Sequence, residues 1–406
     1  MLDVGLTTFM ILATSLVMLM TPGLAFFYGG MVKKKNVLST MLQSFISLGV
    51  VTMLWVVVGF SLAFGDPIGI TIDGTHYGLI GNPLQFMFFD QVGPLPNKVL
   101  GATIPFVLFA LFQMKFAVIT PAIITGSFAE RVRFIGYLFF IGIFTVFVYA
   151  PLCHMVWHPQ GLIGAYFGVV DFAGGTVVHI SAGLASLAGA LFIGKRKNPH
   201  HDPSNITYVL LGTGMLWFGW FGFNAGSSFA ANGTAAMAFA TTTISSATAM
   251  MTWVLFDRIQ GRKISAMQAC IGAVVGLVVI TPAAGFITIP QSFIFGFFGA
   301  IVSNVMMNAK FLRKIDDTLD VFACHGIGGI MGMILTAIFA NKPGSSLLYG
   351  GWGVFVSHML VLVGVAVFSF VMSYAILFIL NKFVTLRVRE EYEEIGLDLS
   401  QHGESV

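Results

Sequence analysis

The stretch LTTFMILATSLVMLMTPGLAFFYGGMVKKK, residues 6–35, decides the class of fold. From Leu6 to Val32 it carries no charged side chain, and Lys33, Lys34 and Lys35 close it. A helix rises 1.5 Å per residue, so about 20 such residues cross a hydrocarbon core of roughly 30 Å. The same pattern of long apolar run and small basic cluster recurs to the end of the chain. Over 406 residues, 57% are hydrophobic, 9% are charged and the mean hydropathy is +0.90. A soluble domain carries about 25% charged residues, so the two or three soluble domains that the length allows are excluded. The chain reads as one integral membrane domain.

Eleven windows qualify as transmembrane helices, at about 6–29, 37–64, 99–128, 134–151, 172–194, 206–230, 235–257, 265–284, 290–311, 319–340 and 351–383. Short cytoplasmic loops retain Lys and Arg, which tests the count. With the N-terminus outside, the groups at 33–35, 131–133, 195–197, 258–263, 310–314 and 382–389 put 17 of the 20 basic residues inside. Lys98 and Lys342 fall outside, and Lys115 falls within a span. The expected fold is therefore an all-α polytopic membrane protein in the plasma (inner) membrane with a cytoplasmic C-terminus. Residues 1–384 form its transmembrane domain and 385–406 a cytoplasmic tail.

An odd count accommodates two five-helix halves of opposite orientation plus one extra helix, with a substrate site between the halves. The sequence hints at such a repeat. Asp171-Phe-Ala-Gly-Gly-Thr-Val-Val-His179 opens the fifth window and Asp320-Val-Phe-Ala-Cys-His325 opens the tenth. The 47 glycines cluster inside helices, at Gly219, Gly222 and Gly226 for example, and read as packing seams, since none has a strand-to-helix context for binding phosphate.

Other signals exclude more than they propose. The net charge of +3 and the scattered basic residues argue against a nucleic-acid partner. Cys153, Cys270 and Cys324 have no CxxC spacing, which suggests neither a disulfide framework nor structural zinc. No basic residue precedes the first apolar run, so a cleavable signal is not expected. His154 and His158 are four apart but lack the Glu of a zinc-protease helix, and His200-His201 reads as a solvated loop. No metal or cofactor is expected.

Ionisable groups inside apolar spans are costly and are candidates for function. His179 and His325 occupy equivalent places in related segments, although a buried histidine bonded to a helix carbonyl is the bland alternative. On straight antiparallel helices their depths differ, so they meet only if one or both helices begin inside the membrane thickness. Asp171 and Asp320 each precede a helical run and read as caps; a buried Asp171 would also favour a cation nearby. Tyr149, Trp157, Phe112, Phe116, Trp217, Trp220, Phe221 and Phe223 read mostly as an interfacial belt, though an indole face also holds a desolvated cation.

Six segments resemble the ammonium transporter, methylammonium permease and Rh glycoprotein superfamily, most closely its bacterial branch. They are Thr21-Pro-Gly-Leu-Ala-Phe-Phe-Tyr-Gly-Gly30, Gly126-Ser-Phe-Ala-Glu-Arg-Val-Arg-Phe134, His154-Met-Val-Trp157, the two aspartate-histidine segments, and Gly219-Trp-Phe-Gly-Phe-Asn-Ala-Gly-Ser227. The resemblance covers essentially the whole chain. It implies a homotrimer with one pore per subunit, eleven helices and an external N-terminus. It also implies an outer ammonium site at Trp157 and Ser227 bordered by Phe116 and supported by Asp171. A phenyl gate at Phe116 and Phe223 would follow, then a pore lined by His179, His325 and Trp220.

On this reading ammonium sheds its proton at the outer site and crosses as ammonia, with or without the proton following. A sensor that uses the same site with little conduction is the alternative; the short chain after the last window argues for transport. An intramembrane enzyme lacks any nucleophile-base pair or metal set. Two departures stand out. Lys115 replaces a small residue beside Phe116, where it would oppose cation entry, snorkel or pair with a carboxylate; Arg389 stands where proline is common. The acidic stretch after Arg389 resembles the family's regulatory tail, which implies contact with a PII-type signalling protein; otherwise it is a solvated charge run.

Overall fold

The computed structural model describes residues 2–199, 202–309, 311–342 and 344–406. His200, His201 and Lys310 lie outside the described residues. All eleven windows contain helix: α1 Val4–Met31, α2 Lys34–Phe64, α3 Phe106–Phe128, α4 Phe134–Trp157, α5 Gly175–Ile193, α6 Ile206–Gly226, α7 Gly233–Ile259, α8 Ala266–Ile280, α9 Ile289–Met307, α10 Phe322–Phe339 and α11 Trp352–Leu380. Nine of these, among the described residues, are long and apolar enough to cross a membrane. α8 is short, at 15 residues, and α7 is less apolar. Thr241, Ser245 and Ser246 of α7 donate to the carbonyls of Ala284, Gly276 and Ala273. Its polar face is thus satisfied inside the bundle rather than presented to lipid.

Some boundaries moved for local reasons. α3 starts at Phe106 instead of 99 because Pro105, at its N-cap, disfavours helix in the residue before it. α4 runs on past Pro151 to Trp157, because a wide turn at Thr145–Tyr149 absorbs the proline and leaves it at the start of the next helical piece. Between α2 and α3 an antiparallel hairpin, β1 Pro67–Ile72 and β2 Thr75–Gly81, departs from the all-helical expectation. Its turn is Asp73-Gly74, both at positive φ (48° and 78°), the pairing that two-residue hairpins favour.

The two halves are visible in the packing. α1 lies along α6, and the N-terminal turns of α5 meet those of α10, so equivalent members of the two five-helix sets pair across the centre. α11 packs outside this core against α5. Glycine permits both central contacts: a Cβ on Gly23 would lie 2.9 Å from Met215, and one on Gly183 would lie 2.2 Å from the backbone of Gly326.

The basic clusters converge at one end of the bundle. Arg196, with its side chain 6% exposed, bonds Glu130 at 2.8 Å and Asp316 at 2.6 Å, and Lys33 approaches Glu130 at 3.6 Å. Burial alone would raise the Asp316 carboxyl, but the hydrogen bonds and charge of Arg196 outweigh it and hold the group below its usual range. Residues 385–406 dock across this end and are not a free solvated run. Asp398 accepts from the N–H groups of Leu38 and Ser39 (3.1 and 2.7 Å), and Arg387 bonds Glu393 and the carbonyls of Ile193 and Lys195.

Candidate functional site

A vestibule of about 700 Å³ opens at the opposite end, lined among others by Gln113, Phe116, Trp157, Asp171 and Ser227. Asp171 is buried and caps α5. Its Oδ1 accepts from Gly174 and Gly175 (2.8 and 2.6 Å), and its Oδ2 accepts from the Thr176 amide (2.7 Å), the Thr176 hydroxyl and Val177 (3.4 Å). Both of its carboxylate oxygens are thus fully engaged. Its backbone carbonyl accepts from the Trp157 indole at 3.0 Å, which fixes the indole at the vestibule wall. Ser227 ends α6 and donates to the Phe223 carbonyl at 2.8 Å, leaving its oxygen lone pairs free.

The floor is aromatic. Phe116 and Phe223 stack at 4.1 Å with 28° between planes, and Trp157 meets the Phe116 edge at 5.8 Å. Phe116 lines the vestibule above, and Phe223 lines a cavity of about 10 Å³ below, so the stacked pair closes the path between them. That lower cavity is also lined by His179, Trp220 and His325, and a second of similar size beneath His325 reaches Tyr28 and Cys324.

His179 and His325 meet, Nδ1 to Nδ1, at 3.3 Å. Such a contact needs one nitrogen protonated and the other bare. The Nε2 of His179 has no partner, and its ring stacks on Trp220 at 5.4 Å while the Trp220 indole donates to Thr281 at 2.9 Å. The depth mismatch disappears because both helices begin in the middle of the bundle. From His179 to Ile193, and from His325 to Phe339, the helices run in opposite directions for about 21 Å each. Gly174 (φ 117°) and Asp320 (φ 54°) turn the chain into them.

Several expectations need correction. Asp320 does not cap α10; Asp317 does, accepting from Phe322 at 2.7 Å. Sequence spacing favoured Asp320, but its backbone is spent on the turn, and the earlier aspartate reaches the amide. Tyr149, Phe112, Phe116, Trp220 and Phe223 are buried in the core, not in an interfacial belt. Lys115 lies on a partly exposed stripe of α3 with Val107 and Leu111, does not line the vestibule, and has no carboxylate partner among the described residues. His154 and His158 stack at 4.5 Å, with His154 bound to the Ala63 carbonyl, and no cluster of three or more metal-ligating side chains occurs among the described residues. Gln113, a glutamine one helical turn before Phe116 in an otherwise apolar run, also lines the vestibule and is buried.

The model for the Ammonium Transporter Family matches residues 8–406. The chain belongs to the ammonium transporter family. Among curated family members, the ammonium transporter of Bacillus subtilis is 44% identical over 99% of this chain and 98% of its own. Among solved members, Mep2 of Candida albicans superposes with a TM-score of 0.88 at 32% identity, over 100% of this chain and 90% of that one. A protein described as a Sensor Amt Protein superposes equally well, at 0.88 and 27% identity, covering 98% of each chain. Family membership and the apolar helices make this a membrane protein.

Proposed function

We propose that the chain transports ammonium by taking up the cation in the vestibule, removing a proton there and passing ammonia between the two imidazoles. The observation that carries this reading is the order of environments along one line: polar vestibule, stacked phenyl pair, narrow apolar cavity with paired histidines. A desolvated cation is expensive in such a cavity, since burying an unpaired charge at low dielectric costs many kcal/mol. The Trp157 face and the Ser227 oxygen replace part of its water shell, and Asp171 supports them by holding the indole through its carbonyl. Phe116 and Phe223 part to admit the neutral molecule. His179 and His325 then exchange hydrogen bonds with ammonia, and their shared Nδ1 contact offers a route for the separated proton. Potassium, with no proton to lose, stays in the vestibule.

The same reading places all eleven helices across the plasma membrane, the vestibule and N-terminus outside, and the basic end with residues 385–406 in the cytoplasm. It takes the assembly as a homotrimer and the docked tail as the regulatory element that a PII-type protein approaches. The test is ammonium-driven current and uptake in proteoliposomes. Uptake saturating with ammonium and absent with potassium is expected. A second reading, a sensor with little conduction, is favoured by the likeness to the Sensor Amt Protein. Binding of ammonium without uptake or current would replace transport with that reading.

A further inference from the structure

The acceptors around the vestibule can be counted. Ammonium brings four N–H donors, and each buried one without a partner weakens binding. Both oxygens of Asp171 are occupied by the first turn of α5, and its carbonyl holds the Trp157 indole. The Ser227 oxygen remains available, since that hydroxyl uses only its proton, on the Phe223 carbonyl. A second acceptor has to come from elsewhere on the wall.

Gln113 meets the requirement. It sits in α3 one turn before Phe116, lines the vestibule and is 5% exposed. Its Oε1 is buried with no hydrogen-bond partner. A carboxamide turns end for end about its last torsion, so nothing holds this oxygen away from a cation above the Phe116 ring. We propose that Gln113 is the second hydrogen-bond acceptor for the recruited cation, beside the Ser227 oxygen. This rests on the outer-site reading above.

The experiment compares wild type, Gln113→Leu and Gln113→Glu, each full length in proteoliposomes, for ammonium uptake. Leucine keeps the volume and removes the acceptor; glutamate keeps an acceptor. For Gln113→Leu the half-saturating ammonium concentration should rise about 10-fold, the scale of one charge-assisted hydrogen bond. Its maximal rate should stay within about 2-fold of wild type. Gln113→Glu should retain tight half-saturation. Unchanged half-saturation in Gln113→Leu would overturn the inference. So would a lower maximal rate and melting temperature at constant half-saturation, which a purely structural role produces. If Gln113→Leu is not recovered folded, Gln113→Met serves the same comparison. If wild type itself takes up nothing, transport fails separately. Calorimetric titration of ammonium chloride against sodium chloride then tests Gln113 alone, with about 10-fold weaker binding expected in the leucine variant and equal binding refuting it.

Discussion

Substituting Gly183→Ala tests whether the seam between α5 and α10 sets the histidine geometry. The added Cβ would lie 2.2 Å from both Cα and N of Gly326, and 3.0 Å from the carbonyl carbon of His325. Carbon atoms settle at about 3.5–4.0 Å, so the seam must open by at least ~1.3 Å, and the obstacle is backbone that cannot rotate aside. Gly326 follows His325 directly, and His179 lies one turn before Gly183. The opening therefore acts on the 3.3 Å imidazole contact and takes it beyond hydrogen-bonding range. Overpacking of this kind costs about 1–3 kcal/mol, and the lost hydrogen bond about 1 kcal/mol more. A reacting geometry displaced by about 1 Å loses up to about 100-fold in rate. Ammonium uptake in proteoliposomes should fall by about 10- to 100-fold, with a lower melting temperature in detergent. Gly364→Ala is the control, since a Cβ there meets nothing within 4 Å. Wild-type uptake and melting in Gly183→Ala would refute the claim that this contact positions the histidines.

Replacing Arg196→Met removes the cation that bridges Asp316 and Glu130 at the basic end and should cost about 3–5 kcal/mol, seen as a fall in melting temperature. Because the folded Asp316 carboxyl is held low, its contribution is present above about pH 4, the unfolded value, and is lost as pH falls through the folded one. The gap between wild type and variant should be constant from pH 8 to 5 and narrow below about 4; a gap unchanged in acid would contradict the pairing. Asp171→Asn keeps the shape of the α5 cap but turns an amide toward backbone donors. Losing the bonds from the Gly174 and Gly175 amides to Oδ1, at roughly 1.5 kcal/mol each, should lower stability by about 3 kcal/mol in thermal unfolding. Asp398→Ala removes two bonds to the start of α2 and should speed tryptic cleavage at Arg387 and Arg389 severalfold while leaving global melting nearly unchanged. Equal cleavage rates would show that other contacts hold the tail.

The sequence alone determined the solvent this protein lives in. Apolar runs of membrane length and a 9% share of charged residues leave no soluble alternative, and the basic clusters marked which loops gather at one end. These are properties of local composition, which no tertiary contact reverses. The Asp171 cap was also legible, because capping acts within five residues of chain. Asp320 failed by the same test, since the backbone conformation that hands the cap to Asp317 depends on how the preceding loop is packed. The hairpin leaves its mark in Asp73-Gly74, a two-residue turn pairing set between apolar windows.

Only the tertiary structure decided which distant side chains meet. Phe116 and Phe223 are separated by more than a hundred residues, and nothing local predicts that their rings stack at 4.1 Å. The meeting of His179 with His325 depended on two helices starting in mid-bundle and on the Gly183–Gly326 approach, a matter of where backbones touch rather than of which residues follow one another. Lys115 turned away from the vestibule and Gln113 turned into it, two neighbours on one helix separated by rotation about its axis, which packing against the other helices sets.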